Sequence, residues 1–228
     1  MDIVSPNRTG SIPSLSINGV GIPGLTCIRD LGAWFDQHMD MNSHIKKQCR
    51  GAYANLYKIG RIRKHLDTTS TKKLVHALVM SKLDINNGLL YGLPKKTIAP
   101  LQRVQNSAAR LITRTRKFEH ITPVLKQLHW LPIELRSQYK LITLVHKSLN
   151  GCAPEYIDSL LHPYNSARTT RTSTSNRLAV PRTRTKFGDR SFAVAAPKLW
   201  NTLPSALKDI RDKSSFGRGL KTLLFQKY

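Results

Sequence analysis

The 228-residue chain has few acidic residues, few aromatic residues and few cysteines. Asp and Glu number 13 against 37 Lys and Arg, which leaves a formal net charge of +24. Because so large an excess of positive charge favours polyanions, we expect nucleic acid as the partner, ahead of an anionic membrane. Aromatic residues make up only 7% of the chain, but hydrophobic residues reach 40%. That content favours a folded core and excludes a wholly disordered basic tail.

Zinc-binding patterns, membrane spans and secretion signals are also missing. The three cysteines, Cys27, Cys49 and Cys152, form no Cys-x-x-Cys pair, which excludes a zinc knuckle or ribbon built from them. No run approaches the ~18 apolar residues that a membrane span needs. The first residues have neither the basic nor the apolar region of a signal peptide. We therefore expect an intracellular protein, nuclear or cytoplasmic and not secreted, with no membrane partner.

Catalytic motifs are absent as well. Two-metal nucleotidyl transfer needs carboxylates gathered around divalent cations, whereas the acidic residues here are scattered and form no Asp-x-Asp. The sequence contains no phosphate-binding Gly-x-x-x-x-Gly-Lys loop and no Gly-x-Ser-x-Gly nucleophile turn. No two histidines have the four-residue spacing of a helical metal site. The sequence thus predicts no catalytic residue, no metal site and no cofactor in this chain.

The charge and the secondary-structure pattern change together at Lys46. The first 45 residues hold two basic and four acidic groups, whereas basic residues dominate the rest of the chain. Short apolar runs predict a ribbon of strands within 12–36, and Asn18-Gly19 is a typical hairpin turn. Such a ribbon is marginal by itself, which favours the presence of further chain before Met1.

Helical periodicity predicts a mainly α-helical fold after this ribbon. The first helix covers 43–64 and starts at Ser43 as its N-cap. The second helix covers 70–84, and either Ser70 or Thr71 is its start. A third runs from Pro94 to Thr113, and a helical tail follows.

The helix over 43–64 has two contrasting faces. Its apolar residues, among them Ile45, Ala52 and Ile59, recur on one side. The opposite side is cationic, and the stretch between Lys46 and Lys64 contains no acidic residue. A solvated lysine-rich face is one interpretation, but such faces normally carry Glu at i,i+4 spacing, so we favour contact with a nucleic-acid backbone. The candidate contact residues are Lys46, Lys47, Arg50, Tyr57, Lys58, Arg61 and Lys64.

The helix from Pro94 to Thr113 adds a second group of candidates. Arg103, Asn106, Arg110 and Arg114 form a polar ridge along it, at steps of three and four residues. The arginines, with Gln102, Gln105 and Asn106 beside them, are candidates to contact phosphates or sugar edges, although an ordinary exposed helix face explains any one of them equally well.

Residues 163–190 interrupt the helical pattern. Ser, Thr and Asn surround seven basic residues there, and Asp189 is the only acidic one. This composition predicts an irregular, extended basic arm, and ordering on nucleic acid is one role open to it. A nuclear-localisation signal is the alternative. Trp130 lies between two apolar helical stretches, so we expect it in the core and not as a platform for stacked bases.

Seven short motifs occur in one order along almost the whole chain. They are Leu31-Gly32-x-Trp34-Phe35-Asp36, His44-Ile45, Ala77-Leu78-Val79-x-Ser81-x-Leu83-Asp84, Leu101-Gln102-x-Val104-Gln105-Asn106-x-Ala108-Ala109-Arg110-Leu111-Ile112, His120-Ile121-Thr122-Pro123, Leu128-His129-Trp130-Leu131-Pro132 and Ala196-Pro197-x-Leu199-Trp200-Asn201-x-Leu203-Pro204. In this order they resemble the C-terminal third of the polyprotein of non-LTR (LINE-type, jockey-like) retrotransposons.

The resemblance implies a fragment of a reverse transcriptase, an RNA-directed DNA polymerase. It assigns 1–37 to the last palm strands, 38–115 to a helical thumb-like domain, and 116–228 to a helical tail with the basic arm. Thumbs of this class pack along the primer–template duplex, so an RNA or DNA duplex is the implied partner. The palm aspartates that hold Mg²⁺ in the parent enzyme are absent here, which predicts an inactive chain.

Two alternatives remain open at this point. One is a truncated retroelement remnant without a function. The other is a stand-alone basic nucleic-acid-binding protein. A peripheral membrane binder ranks last, because its helix would need bulky apolar residues where this one has the small Cys49 and Ala52.

Overall fold

The structure is a computed structural model and describes residues 15–22, 25–164 and 176–228. The described chain is mainly α-helical, with short antiparallel strands near its N-terminus. The expected fold class is therefore confirmed. None of the described helices combines the length and the apolar character that crossing a bilayer requires.

The chain divides into two compact units. The first contains the described residues up to Asn86 together with Leu93–Ile121. The second contains Asn87–Gly92 and Thr122–Tyr228. The division into palm, thumb and tail segments that the resemblance implies, at 1–37, 38–115 and 116–228, stays a prediction.

Four short strands of the first unit form two separate hairpins. The predicted turn is confirmed, since Asn18 and Gly19 both have positive φ, at 50° and 79°. Leu31 and Gly32 repeat this geometry in the second hairpin, at 44° and 83°. Two consecutive positive φ angles match the right-handed twist of paired strands. The strands are β1 (Leu15–Ile17) with β2 (Val20–Ile22), and β3 (Cys27–Asp30) with β4 (Ala33–Asp36).

The helices of the first unit pack around α1. Helix α1 packs on α4, and Ala52 on α1 and Val104 and Ala108 on α4 are fully buried. A π-helical segment, His76–Met80, continues α2 into α3. The helices are α1 (Asn42–Ile62), α2 (Thr68–Val75), α3 (Ser81–Asp84) and α4 (Lys95–Thr113).

The predicted N-cap of α1 is wrong. The helix begins at Asn42, and Met41 before it has a left-handed backbone without a side-chain cap. The carboxylate of Asp36, at the end of β4, accepts hydrogen bonds from the backbone N–H groups of Asn42 at 3.1 Å and Asp40 at 2.7 Å. The carboxylate of a residue at the end of the preceding strand therefore fulfils the role expected of Ser43.

The predicted start of the second helix is also wrong, for a related reason. Asp67 is the N-cap of α2, and its carboxylate accepts hydrogen bonds from the N–H groups of Thr69 and Ser70. An aspartate meets the partial positive charge of the helix start better than a serine does. Ser70 consequently lies inside the first turn.

The second unit has its core between α6, α8 and α10. Trp200, Phe216 and Leu220 are at most 1% exposed there. Trp130 is 3% exposed, which confirms its predicted place in the core. The helices are α5 (Ile121–Gln127), α6 (Ile133–Leu149), α7 (Glu155–Asp158), α8 (Phe192–Asn201), α9 (Ser205–Lys208) and α10 (Lys213–Gln226).

The basic arm is described only in part, because 165–175 lies outside the described residues. Most of its described C-terminal portion is irregular, as expected. It is nonetheless anchored, since Leu178 is 4% exposed and forms an isolated β-bridge with Pro163. A short 3-10 helix, Gly188–Arg190, ends the segment.

Candidate nucleic-acid interface

The structure confirms the two faces of α1. Ile45, Ala52 and Ile59 are at most 2% exposed on the side that packs into the first unit. All seven candidates from this region are exposed, six on α1 and one on the 3-10 turn that follows it. We call these seven residues the α1 basic face: Lys46, Lys47, Arg50, Tyr57, Lys58, Arg61 and Lys64.

Most cations of the α1 basic face are not neutralised. Five of them form neither a hydrogen bond nor an ion pair with any part of the chain that the structure describes. Their positive charge therefore faces solvent, where it is available to an anionic partner. These five are Lys46, Arg50, Lys58, Arg61 and Lys64.

Polar side chains fix how α1 is rotated within its unit. The Nδ2 group of Asn55 donates to the carbonyl oxygen of Leu78 at 2.6 Å. The Nε2 group of Gln48 donates to the carbonyl oxygens of Lys82 and Ile85, both at 3.1 Å. Since these bonds join α1 to the segment around α3, the basic face is held in one orientation toward solvent.

One cation within the same stretch has a structural role. Arg63 is 8% exposed, and its guanidinium donates three hydrogen bonds to backbone carbonyl oxygens. The acceptors are Leu111 at 2.9 Å, Ile112 at 2.9 Å and Leu66 at 2.7 Å. Arg63 thus ties the C-terminal end of α1 to the C-terminal end of α4, and it was not among the predicted contacts.

Lys47 differs from the other members of the α1 basic face. Its ammonium nitrogen lies over the ring of Trp34 on β4, 2.7 Å from the ring centre. A cation in this position is stabilised by the negative face of the aromatic ring. The contact between Lys47 and Trp34 therefore stabilises the packing of β4 against α1.

Two exposed tyrosines lie on α1 among its basic residues. Tyr57 is 70% exposed and Tyr53 is 44% exposed. Their four-residue spacing places both on one side of α1. Sequence reasoning named Tyr57 and missed Tyr53, although the spacing of the pair was a readable signal. Exposed aromatic rings among cations are a common surface for nucleobases.

Arg103, the first of the candidates on α4, lies beside α1. It is exposed on α4. Burial raises the pKa of the Cys49 thiol on α1, and the positive charge of Arg103 partly opposes this shift. The structure therefore brings Arg103 next to the N-terminal half of α1.

The other two candidates on this side have different surroundings. The guanidinium of Arg110 donates to the carbonyl oxygens of Glu119 at 2.9 Å and Arg116 at 3.3 Å. These hydrogen bonds hold the segment after α4 against the C-terminal end of that helix. Arg114 is exposed at the end of α4 and has a left-handed backbone with φ of 60°. Within the described chain the Arg114 side chain has no partner and can meet a phosphate, whereas Arg110 is largely engaged by the segment after α4.

Sequence reasoning missed Lys82. A Cβ added to Gly51 on α1 would lie 3.7 Å from the Lys82 Nζ atom, so this ammonium group borders the α1 basic face. Lys82 lies on α3, which is far from α1 in sequence. No local pattern connects the two segments, and only the packing of α3 on α1 brings them together.

Among the described residues, no three His, Cys, Asp or Glu side chains lie close enough together to hold a metal ion. Comparison of the chain with protein-family models, with curated proteins and with solved structures finds no match in any of the three.

Proposed function

We propose that this protein binds the sugar–phosphate backbone of nucleic acids without sequence preference, through the α1 basic face. The carrying observation is the set of exposed cations on one face of α1 and the turn after it that have no side-chain partner within the described chain. From Lys46 to Arg61 this face is about 22 Å long at ~1.5 Å per residue. That length matches roughly six or seven phosphates at ~3.4 Å spacing along one strand.

The resemblance to retrotransposon reverse transcriptases suggests which nucleic acid this surface would bind. In such an enzyme the region around α1 would be the thumb, and the bound nucleic acid would be the primer–template duplex of RNA-directed DNA synthesis. The palm aspartates that hold Mg²⁺ in the parent enzyme have no counterpart in this sequence. The proposal therefore gives this chain a binding role and assigns it no step of polymerisation.

The test is the affinity of the full chain for a labelled RNA–DNA duplex at several salt concentrations. If six to eight cations meet phosphates, the logarithm of the association constant should fall against the logarithm of salt with a slope of about −5 to −7. Duplexes of unrelated sequence should bind alike, because phosphate contacts carry no sequence information. A flat response to salt would overturn the proposal and favour a remnant without function.

A pair of triple variants locates the binding surface. Arg50→Glu, Lys58→Glu and Arg61→Glu together should weaken binding to every sequence. The matched control changes Lys72, Lys73 and Lys95 to Glu, three exposed lysines of the same unit outside the α1 basic face. Both variants change the net charge equally, so an equal loss of affinity would show that binding depends on total charge and not on this face. Far-UV circular dichroism checks that both remain folded.

A further inference from the structure

The second unit contains a pocket that the proposed interface does not use. Its volume is about 470 Å³, within the usual range for small-ligand sites. It opens where the end of α6, the described end of the basic arm and the segment after α9 meet. The residues that decide its chemistry are Asn150, Arg177, Lys208, Asp209 and Arg211.

Like charges are held close together in this pocket. Lys208 is half-buried at the end of α9. Burial lowers its pKa, the nearby positive charge of Arg177 lowers it further, and Asp209 partly opposes both effects. With Arg211, three cations and one carboxylate line the pocket. Repulsion between Arg177 and the partly desolvated Lys208 disfavours the charged lysine in the empty pocket, and an anion between them would relieve it.

The backbone that carries Arg177 is fixed on α8. The indole N–H of Trp200 donates to the carbonyl oxygen of Asn176 at 2.9 Å. The side chain of Asn201 accepts from the N–H of Leu178 at 2.9 Å and donates to its carbonyl oxygen at 2.8 Å. Arg177 therefore projects from a segment whose neighbours on both sides are anchored.

The opposite wall is fixed in a similar way. The Nε2 atom of His146 on α6 makes a 2.7 Å hydrogen bond with the carbonyl oxygen of Ile210. His146 itself is 2% exposed and stacks on Phe216, with the ring centres 3.9 Å apart. Ile210 lies between Asp209 and Arg211, so this contact fixes the backbone from which both charged side chains project. Hydrogen bonds therefore hold the backbone segments that line the pocket.

We infer that this pocket binds a phosphate monoester, with the phosphate between Arg177, Lys208 and Arg211 and the attached nucleoside against Leu149 and Pro163. A phosphate monoester carries a charge of about −2 near neutral pH, which matches three cations and one carboxylate. Arginine and lysine donate strong charge-assisted hydrogen bonds to such oxygens. Leu149 is 46% exposed and Pro163 is exposed, so an apolar wall is open to a base or sugar.

This inference goes beyond backbone binding by α1, because an internal phosphodiester carries only one negative charge. The same monoester chemistry occurs in a free mononucleotide and at the phosphorylated end of a strand. The two sources are separated by the probes described next.

The test is isothermal titration of the full chain at about 0.15 M salt, where weak surface charge effects are screened. AMP should bind, and adenosine should bind at least about tenfold more weakly. A 5′-phosphorylated trinucleotide is compared with its 5′-hydroxyl form. Binding of AMP and of the phosphorylated trinucleotide supports the inference with a strand end as ligand, and binding of AMP alone supports it with a free nucleotide. Equal binding of AMP and adenosine, or no binding of AMP, would overturn it.

Substitutions test whether the named cations bind the phosphate. Lys208→Gln and Arg177→Gln should each weaken AMP binding about tenfold, whereas Asp209→Asn should tighten it. Lys140→Gln and Arg182→Gln, exposed residues of the same unit outside the pocket lining, should leave it unchanged. Lys208→Gln should also raise the melting temperature of the unliganded protein, because it removes the repulsion. A loss of binding with a lower melting temperature would indicate only a structural role and would contradict the inference.

The triple Glu variant of α1 separates this site from the proposed function. It should lose duplex binding and retain AMP binding. Loss of both in that variant would mean that AMP binds at the α1 basic face, and the pocket would be rejected.

Discussion

The ammonium nitrogen of Lys47 lies 2.7 Å from the centre of the Trp34 ring, and this contact joins the first residues of α1 to strand β4. The neighbouring Lys46 makes no such contact within the described chain. Two adjacent lysines of the α1 basic face therefore have different roles. Lys46 offers its whole charge to a ligand, whereas Lys47 also stabilises the fold.

We expect Lys47→Gln to lower the free energy of unfolding by about 0.5–1 kcal/mol, the usual size of an exposed cation–π contact. Lys46→Gln should leave stability almost unchanged but cost more duplex affinity than Lys47→Gln does. Urea unfolding and duplex titration of the two variants measure these effects. In a Trp34→Leu background, Lys47→Gln should no longer alter stability. A persisting loss there would show that the contact with Trp34 is not the cause.

The pattern of α1 was predictable because it is local. The spacing of Ile45, Ala52 and Ile59 fixes which side is buried, and the cations then have only the other side to occupy. The turn at Asn18-Gly19 was predictable for the same reason. Features that one helical or strand period determines can be read from one sequence.

The start of α1 and the remaining site residues depend on contacts that no helical or strand period connects. Asp36 reaches the start of α1 only because β4 ends beside it, and a serine at the expected position was the more obvious local signal. Lys82 borders α1 through packing of α3. In the pocket of the second unit, Arg177 and Lys208 come from separate segments. No periodicity relates such residues, so sequence reasoning could not assemble them.

Arg114 allows a prediction in which stability and binding change in opposite directions. Its φ of 60° is a conformation that costs a non-glycine residue about 1–2 kcal/mol. Glycine at the end of a helix removes this strain, although part of the gain is offset by its greater freedom in the unfolded chain. We therefore expect Arg114→Gly to raise the melting temperature and the free energy of unfolding by about 1 kcal/mol.

The same substitution should weaken duplex binding and make the salt slope shallower by about one unit, since one phosphate contact is lost. Arg114→Ala is the matched control, because it removes the charge but keeps the strained backbone. Its binding should fall as much as that of Arg114→Gly, without the gain in stability. Unchanged binding in both variants would remove Arg114 from the interface.

His44 makes the stability of the first unit depend on pH. Its side chain is 1% exposed, and its Nδ1 atom accepts the backbone N–H of Trp34 at 3.4 Å. Burial lowers its pKa, so the folded chain keeps the imidazole neutral where the unfolded chain, with a histidine pKa of about 6.5, takes up a proton. The stability contributed by neutral His44 is therefore complete above this value and is lost as the pH falls below it.

We expect the urea midpoint of the wild-type protein to fall between pH 7.5 and pH 5.5. In His44→Gln the fall should be smaller, because the group that resists protonation is gone. His65→Gln, which removes an exposed histidine of the same unit, should retain the wild-type fall. If His44→Gln loses as much stability on acidification as the wild type, another group controls the pH dependence. Since Trp34 contacts both His44 and Lys47, protonation of His44 should also loosen the contact between β4 and α1, and a change in Trp34 fluorescence over the same pH range would report it.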